Sequence, residues 1–303
     1  MIQKLYETLC HINETGNVLR DEPMSRHTTF RTGGPADIYI EPSGVEELKQ
    51  VLDICREENV AYTIIGNGSN LLVGDGGYRG VLISFGKPFA QVTIEGAQVR
   101  TGAGALLSAV AKQVLNASLT GFEFAAGIPG TIGGAVVMNA GAYGGELCQV
   151  LREATVLTPE GEVKTLPAEE LELGYRTSCV QKNGYIVLEA VLQLQPGNAD
   201  DIRAVMDALA SKRREKQPLE YPSAGSTFKR PEGHFAGRLI QDAGLRGFRV
   251  GGAQVSEKHC GFVINRDHAT SADILSLCRQ VQEKVKAQSG VELELEVKLL
   301  GEF

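Results

Sequence analysis

Glycine placement limits what this chain can become. Seven glycines fall within residues 127–145, in Gly127-Ile128-Pro129-Gly130-Thr131-Ile132-Gly133-Gly134-Ala135 and then Asn139-Ala140-Gly141-Ala142-Tyr143-Gly144-Gly145. Where Cβ atoms are missing, backbone N–H groups can approach a ligand directly and hold a phosphate without a lysine. A second loop, Gly66-Asn67-Gly68-Ser69-Asn70, follows the apolar run Ala61-Tyr62-Thr63-Ile64-Ile65, which has the pattern of a buried strand. Two such loops suggest a diphosphate. Turn formation alone is the plain alternative, because glycine is high throughout, at 36 of 303 residues against a usual share of about 7%.

The standard nucleotide fingerprints fail. A dinucleotide-binding GxGxxG starting at Gly66 would need glycine where Leu71 stands, and a strand-like segment follows instead of a helix. Gly102-Ala103-Gly104 opens a helical pattern but lacks the third glycine. The nearest approach to a Walker sequence, Gly80 to Gly86-Lys87, is one residue too long and has Pro88 where Ser or Thr should meet the metal. The chain is neither Rossmann nor P-loop.

At 303 residues and 43% hydrophobic, the chain can bury the cores of two or three domains. The first residues lead into an amphipathic segment with no apolar h-region. No run of about 18 apolar residues occurs anywhere, so no membrane insertion and a cytoplasmic location are expected. The six cysteines, at 10, 55, 148, 179, 260 and 278, form no CxxC pair, and the five histidines form no HxxxH. Neither a metal site nor a disulfide framework is expected, and the thiols read as reduced and structural. A net charge of −7 argues against a nucleic-acid partner. An anionic small ligand would need a local basic patch. Lys212-Arg213-Arg214-Glu215-Lys216 is one, at the end of a helix starting near Asp200 with Ile202, Val205, Met206 and Leu209 on its apolar stripe. The helix dipole also favours such a cluster.

Ser43-Gly44-Val45-Glu46 has the form of a capping box, opening a helix through about Val60 with Val45, Leu48, Val51, Leu52 and Cys55 inward. Strand-like runs at 81–85, 92–99, 152–158 and 185–195 enclose a helix near 105–116. These predict an α+β region over 1–197 with two sub-lobes, and a smaller α+β unit over 198–303. Gln217-Pro218-Leu219-Glu220-Tyr221-Pro222 resists helix and reads as a linker at 217–222. A helix at about 271–288, capped by Thr270 and Asp273 and stopped at Gly290, precedes a final strand.

Three separated segments carry residue types suited to redox addition to an acidic alkene: Gly174-Tyr175-Arg176-Thr177-Ser178, Ala224-Gly225-Ser226-Thr227-Phe228-Lys229-Arg230 and Leu293-Glu294-Leu295-Glu296-Val297-Lys298. Each has a plain alternative. Alternation would put Val291, Leu293, Leu295 and Val297 on one strand face and Glu292, Glu294, Glu296 and Lys298 on a solvated other. Ser226 after glycine is a common turn serine, and Arg176 alone an ordinary surface arginine.

Together with the glycine loops, these segments make the chain resemble closely the UDP-N-acetylenolpyruvoylglucosamine reductase (UDP-N-acetylmuramate dehydrogenase) family. The resemblance runs from His27-Thr28-Thr29-Phe30-Arg31-Thr32-Gly33-Gly34-Pro35-Ala36-Asp37 through both loops, GYRTS and GSTFKRP to Glu296 and Gly301. It implies a two-lobed FAD-binding domain of the vanillyl-alcohol oxidase/PCMH type plus a smaller substrate-binding domain. It also implies non-covalent FAD, NADPH as co-substrate, and a UDP-sugar bearing an enolpyruvyl ether. By resemblance, Gly66, Asn67, Gly68, Ser69, Asn70, Gly130, Thr131, Gly134, Asn139 and Gly141 hold the FAD pyrophosphate and ribityl chain, largely through backbone donors.

The catalytic residues it implies are Arg176, Ser226 and Glu296. Hydride from reduced flavin N5 would add to the vinyl methylene carbon, and the adjacent carboxylate would carry the electron pair as an enolate-like dianion. Arg176, and Glu296 as a hydrogen-bond donor, would stabilise that charge, and Ser226 would protonate the carbon bearing the carboxylate. Lys229 is available to assist Ser226. Tyr175, Lys216, Arg230 and His259 fall at or near family positions for substrate, with a buried structural histidine the alternative for His259. The span between Arg176 and Ser226 holds no obvious insertion, as in the shorter, type II form. With no second nucleotide module, the two substrates would share one pocket in ping-pong order, in a monomer. Another FAD oxidase of the same fold, or a nucleotide-binding regulator without catalysis, are the rival expectations.

Overall fold

The computed structural model describes residues 2–303. Packing divides the chain into two compact units that alternate in sequence. The first comprises residues 1–19, 39–67 and 82–212; the second 20–38, 68–81 and 213–303. Helix Ala199–Lys216 and the 66–70 loop both run across a division, at 212/213 and 67/68.

In the first unit a five-stranded antiparallel sheet has the order Val163–Pro167, Leu151–Leu157, Ile186–Gln193, Gln98–Gly102, Val92–Glu95. Its inward residues, among them Val99, Ala154, Val156, Ala190 and Leu192, are buried with Val110, Val114, Ile132 and Val136 of helices Leu107–Asn116 and Ile132–Met138. The expected run at 92–99 is two strands, because Gly96 takes a positive φ of 58° and turns the chain back. Helix Val45–Glu57 forms with Leu48, Val51, Leu52 and Cys55 buried, but not through the expected cap. Gly44 is the N-cap, and Ser43 bonds to the carboxylate of buried Glu47 instead of meeting Glu46. In helix Ala199–Lys216 only Ile202 of the expected stripe is buried, and Val205 is 48% exposed.

The core of the second unit lies between helix Ser271–Ser289 and a three-stranded antiparallel sheet, Arg249–Val250, Ala253–Val255 and Val263–Asn265. The helix is bounded as its sequence requires. Thr270 Oγ1 accepts from Asp273 N at 3.0 Å, the Asp273 carboxylate accepts from Thr270 N at 3.1 Å, and Gly290 ends the helix at φ 73°. Ile274, Leu277, Cys278, Val281 and Val285 are buried along one face. Strand Lys298–Leu300 pairs in parallel with Leu71–Val73. The final strand is shorter than expected, since residues 291–297 make only one bridge, Leu295 to Phe228.

All six cysteines are free thiols. Burial pushes Cys278 up to about 12 and Cys55 up to about 11, so both stay protonated and act as small apolar groups. Among the described residues, no helix is long and apolar enough to cross a membrane, and no group of His, Cys, Asp or Glu side chains is arranged to hold a metal ion.

Candidate active site

The glycine loops of the first unit meet. Asn67 Nδ2 donates to Pro129 O at 2.8 Å, and a Cβ on Gly66 would lie 2.5 Å from Thr131 Oγ1. Only glycine lets the two strands of chain approach so closely at position 66. Thr131 caps helix Ile132–Met138, its hydroxyl accepting from Gly134 N at 3.4 Å. The segment is laced to its neighbours by Leu107 N to Gly130 O at 3.0 Å, Ile132 N to Ala105 O at 2.9 Å and Gly133 N to Ala103 O at 2.8 Å. That lacing uses the carbonyl of Gly130 and leaves the amides of Gly130 and Thr131 without an acceptor among the described residues of this unit. A fixed loop with two amides uncommitted to the backbone ladder suits a diphosphate. Gly134 is exposed, while Gly141 pairs with Glu146 in a two-stranded hairpin and Asn139 is 2% exposed.

Tyr175 and Arg176 form the tip of a tight turn closed by Gly174 N to Thr177 O at 3.1 Å and Thr177 N to Gly174 O at 3.3 Å. Arg176 takes φ 56°, a region that favours glycine or asparagine at this turn position. Its guanidinium carbon lies 5.4 Å from the centre of the Tyr175 ring, and Tyr175 is 53% exposed. A cationic side chain on a strained turn is a feature that folding alone does not select.

In the second unit two far-separated segments run antiparallel. Phe228 bridges Leu295, Glu296 N donates to Thr227 O at 2.9 Å, and Lys229 N donates to Glu294 O at 2.8 Å. Thr227 is buried and locks the other side, its N–H reaching Gly261 O at 2.9 Å and its hydroxyl accepting from Val263 N at 2.9 Å. Ser226 is exposed, directly after Gly225 at φ 75°. Glu296 is only 8% exposed, whereas Glu292 and Glu294 are exposed. Asn70 Nδ2 donates to Glu296 O at 3.1 Å, so the glycine loop that contains Gly68, Ser69 and Asn70 anchors the glutamate's backbone. Gly68 is itself irreplaceable here, since its φ is 59° and a Cβ would meet His27 O at 1.9 Å.

The substrate candidates differ in setting. Lys216 is exposed at the end of its helix. The Arg230 guanidinium stacks 4.0 Å from the Phe235 ring centre, and its Nε donates to His234 O at 3.3 Å. His259 is half-buried, accepts from Gly261 N at 3.1 Å through Nδ1, and meets Phe262 edge-on. Burial depresses its pKa, so the neutral ring persists at neutral pH. Lys229 Nζ pairs with Glu294 Oε2 at 2.8 Å. Sequence reasoning missed Thr227 and Glu146. The only local trace of Glu146 is the box it forms with Gln149.

Comparison with known proteins decides among the rival functions. A family model described as UDP-N-acetylenolpyruvoylglucosamine reductase, C-terminal domain, matches residues 217–300, and one described as an FAD binding domain matches residues 36–167. The UDP-N-acetylenolpyruvoylglucosamine reductase of Agathobacter rectalis is 56% identical over 298 residues, covering 94% of this chain and 95% of its own. The chain belongs to the UDP-N-acetylenolpyruvoylglucosamine reductase family. The reductase of Clostridioides difficile is 51% identical and covers 99% of each chain. The crystal structure of UDP-N-acetylenolpyruvylglucosamine reductase from Thermus caldophilus superposes with a TM-score of 0.80 at 36% identity, covering 94% of this chain and 98% of its own. A glucose dehydrogenase, Phl p 4.0202, shares the fold alone, at TM-score 0.51 and 13% identity over 65% of this chain and 44% of its own. Like its reductase relatives, this chain is an FAD-dependent α+β oxidoreductase.

Proposed function

We propose that this enzyme reduces the enolpyruvyl ether of UDP-N-acetylglucosamine enolpyruvate to UDP-N-acetylmuramate, using NADPH, for peptidoglycan synthesis in the cytoplasm. The observation carrying the reading is the antiparallel seating of an exposed Ser226 beside a buried Glu296 in the second unit. A solvated strand face would have left Glu296 in water, as it leaves Glu292 and Glu294.

FAD, when bound, supplies the hydride. The amides of Gly130 and Thr131, with Gly66 and Asn67 packed against the same segment and Gly134 and Gly141 following it in sequence, are assigned to its diphosphate and ribityl chain. Gly68, Ser69 and Asn70 continue that loop. The chemical difficulty rests with the substrate, whose carboxylate must take on a second negative charge as the vinyl carbon is reduced. Arg176, permanently cationic, stabilises that charge, and Glu296 in its protonated form donates a hydrogen bond to the same carboxylate. Ser226 Oγ then delivers its proton to the carbon that bears the carboxylate. Lys229 is engaged with Glu294, so its help to Ser226 would require breaking that pair. Tyr175, Lys216, Arg230 and His259 are assigned to the sugar nucleotide. Sharing of one pocket by the nicotinamide and sugar nucleotides predicts ping-pong kinetics from a monomer.

The test is product formation. Purified holoenzyme given NADPH and the enolpyruvyl sugar nucleotide should consume one NADPH per UDP-N-acetylmuramate, identified by mass. Oxygen uptake on alcohols or sugars, with the enolpyruvyl compound untouched, would defeat the proposal.

A further inference from the structure

Asn139 ends helix Ile132–Met138 in the left-handed conformation, at φ 41°, and is 2% exposed. Its side chain makes three hydrogen bonds to protein. Oδ1 accepts from Cys148 N at 3.0 Å, and since a backbone N–H can only donate, the orientation of the amide is fixed. Nδ2 therefore holds both donors, which reach Gly174 O at 3.2 Å and Glu146 Oε2 at 3.1 Å. Both donors are thus spent on protein, and none is left over for a cofactor oxygen.

Gly174 is the first residue of the turn that carries Arg176. The far side of the turn is held by the same helix end, where fully buried Ser178 donates from Oγ to Val137 O at 2.8 Å. Two tethers thus bracket a turn whose tip is strained at φ 56°, a conformation costing about 1–3 kcal/mol unless its surroundings impose it.

We propose that Asn139 is a positioning residue, which fixes the reach and direction of Arg176 by gripping Gly174, and that its side-chain N–H groups serve this turn instead of FAD. The proposal rests on the charge-stabilising role given to Arg176 above. Asn139→Gly keeps the left-handed backbone and removes all three hydrogen bonds. Asn139→Asp keeps the acceptor for Cys148 N and sets an oxygen against Gly174 O and the Glu146 carboxylate, so it repels the turn where glycine only releases it.

The experiment uses holoenzyme reduced under anaerobic conditions and mixed with the enolpyruvyl sugar nucleotide, the rate of flavin reoxidation being followed in single turnover. Arg176→Ala should slow reoxidation by about 100- to 1,000-fold. Asn139→Gly and Asn139→Asp should each slow it by roughly 10- to 100-fold, the usual effect of losing an orienting partner, with FAD content unchanged. The deciding readout is the double variant. If Asn139 acts through Arg176, adding Asn139→Gly to Arg176→Ala should change the rate by no more than about twofold. An equal loss in both backgrounds, or loss of FAD from the Asn139 variants, would overturn the proposal while leaving Arg176 catalytic. Wild-type reoxidation by Arg176→Ala would remove the role of Arg176 itself, and the positioning proposal with it.

Discussion

The Arg176 turn and the Ser226–Glu296 strand pair hold the proposed catalytic side chains by opposite means. In the turn, Arg176 of a two-residue tip sits in an unfavourable region, and the turn is held by single polar side chains, Asn139 and Ser178. In the strand pair, main-chain hydrogen bonds on both sides of Thr227 set the register, and apolar packing of Phe228 and Val297 secures it. The turn carries a charged side chain on a strained residue, whereas the strand pair runs through backbone hydrogen bonds between its two segments. Stability and activity should therefore separate in the first region and fall together in the second.

Phe228→Ala tests the second half of that contrast most severely. Removing a ring that is 2% exposed should cost about 3–5 kcal/mol, read as a lower urea midpoint, and should impair turnover as the Ser226 register loosens. Unchanged activity in the surviving folded fraction would show that the backbone ladder alone fixes Ser226. Arg176→Gly tests the first half. The same 100- to 1,000-fold loss as for alanine, about 2.7–4 kcal/mol in barrier, should accompany stability that is unchanged or raised by up to about 1 kcal/mol. A fall in stability would mean that Arg176 is a structural residue.

Thr131→Ala extends the comparison to the glycine loop. Loss of the cap to Gly134 should cost about 1 kcal/mol and weaken FAD retention, measured as flavin released on dilution. The smallest effect concerns His259. Its folded pKa lies below its ordinary value of 6.5, so the unfolded chain takes up the proton first. The stability it contributes is complete above that pH and is lost as pH falls through the lower, folded value. His259→Gln should flatten that part of the stability profile as pH falls below 6.5, and an unchanged slope would assign the acid sensitivity elsewhere.

Local chemistry was legible wherever local rules decided. Thr270, Asp273 and Gly290 bounded their helix, and the glycines at 66 and 68 marked close approaches that the backbone makes. Non-local choices were not legible. Period-2 alternation expected Glu296 to share the solvated face of Glu292 and Glu294, yet 291–297 is too irregular for strict alternation, and Glu296 is buried while Leu295 is only half-buried. The contact of Asn139 with Gly174 joins residues with no shared local pattern. At Ser43 two adjacent glutamates competed for one cap, and the buried one, Glu47, took it.

The most direct test of the account separates the two half-reactions by anaerobic stopped-flow on the flavin absorbance band. Wild-type enzyme, Arg176→Ala and Ser226→Ala should all be bleached by NADPH at similar rates. Recovery of colour on adding the enolpyruvyl sugar nucleotide should be fast in the wild type and slowed by about 100-fold or more in both variants. Equal slowing of both half-reactions, or recovery at the wild-type rate in the variants, would contradict the roles assigned to Arg176 and Ser226.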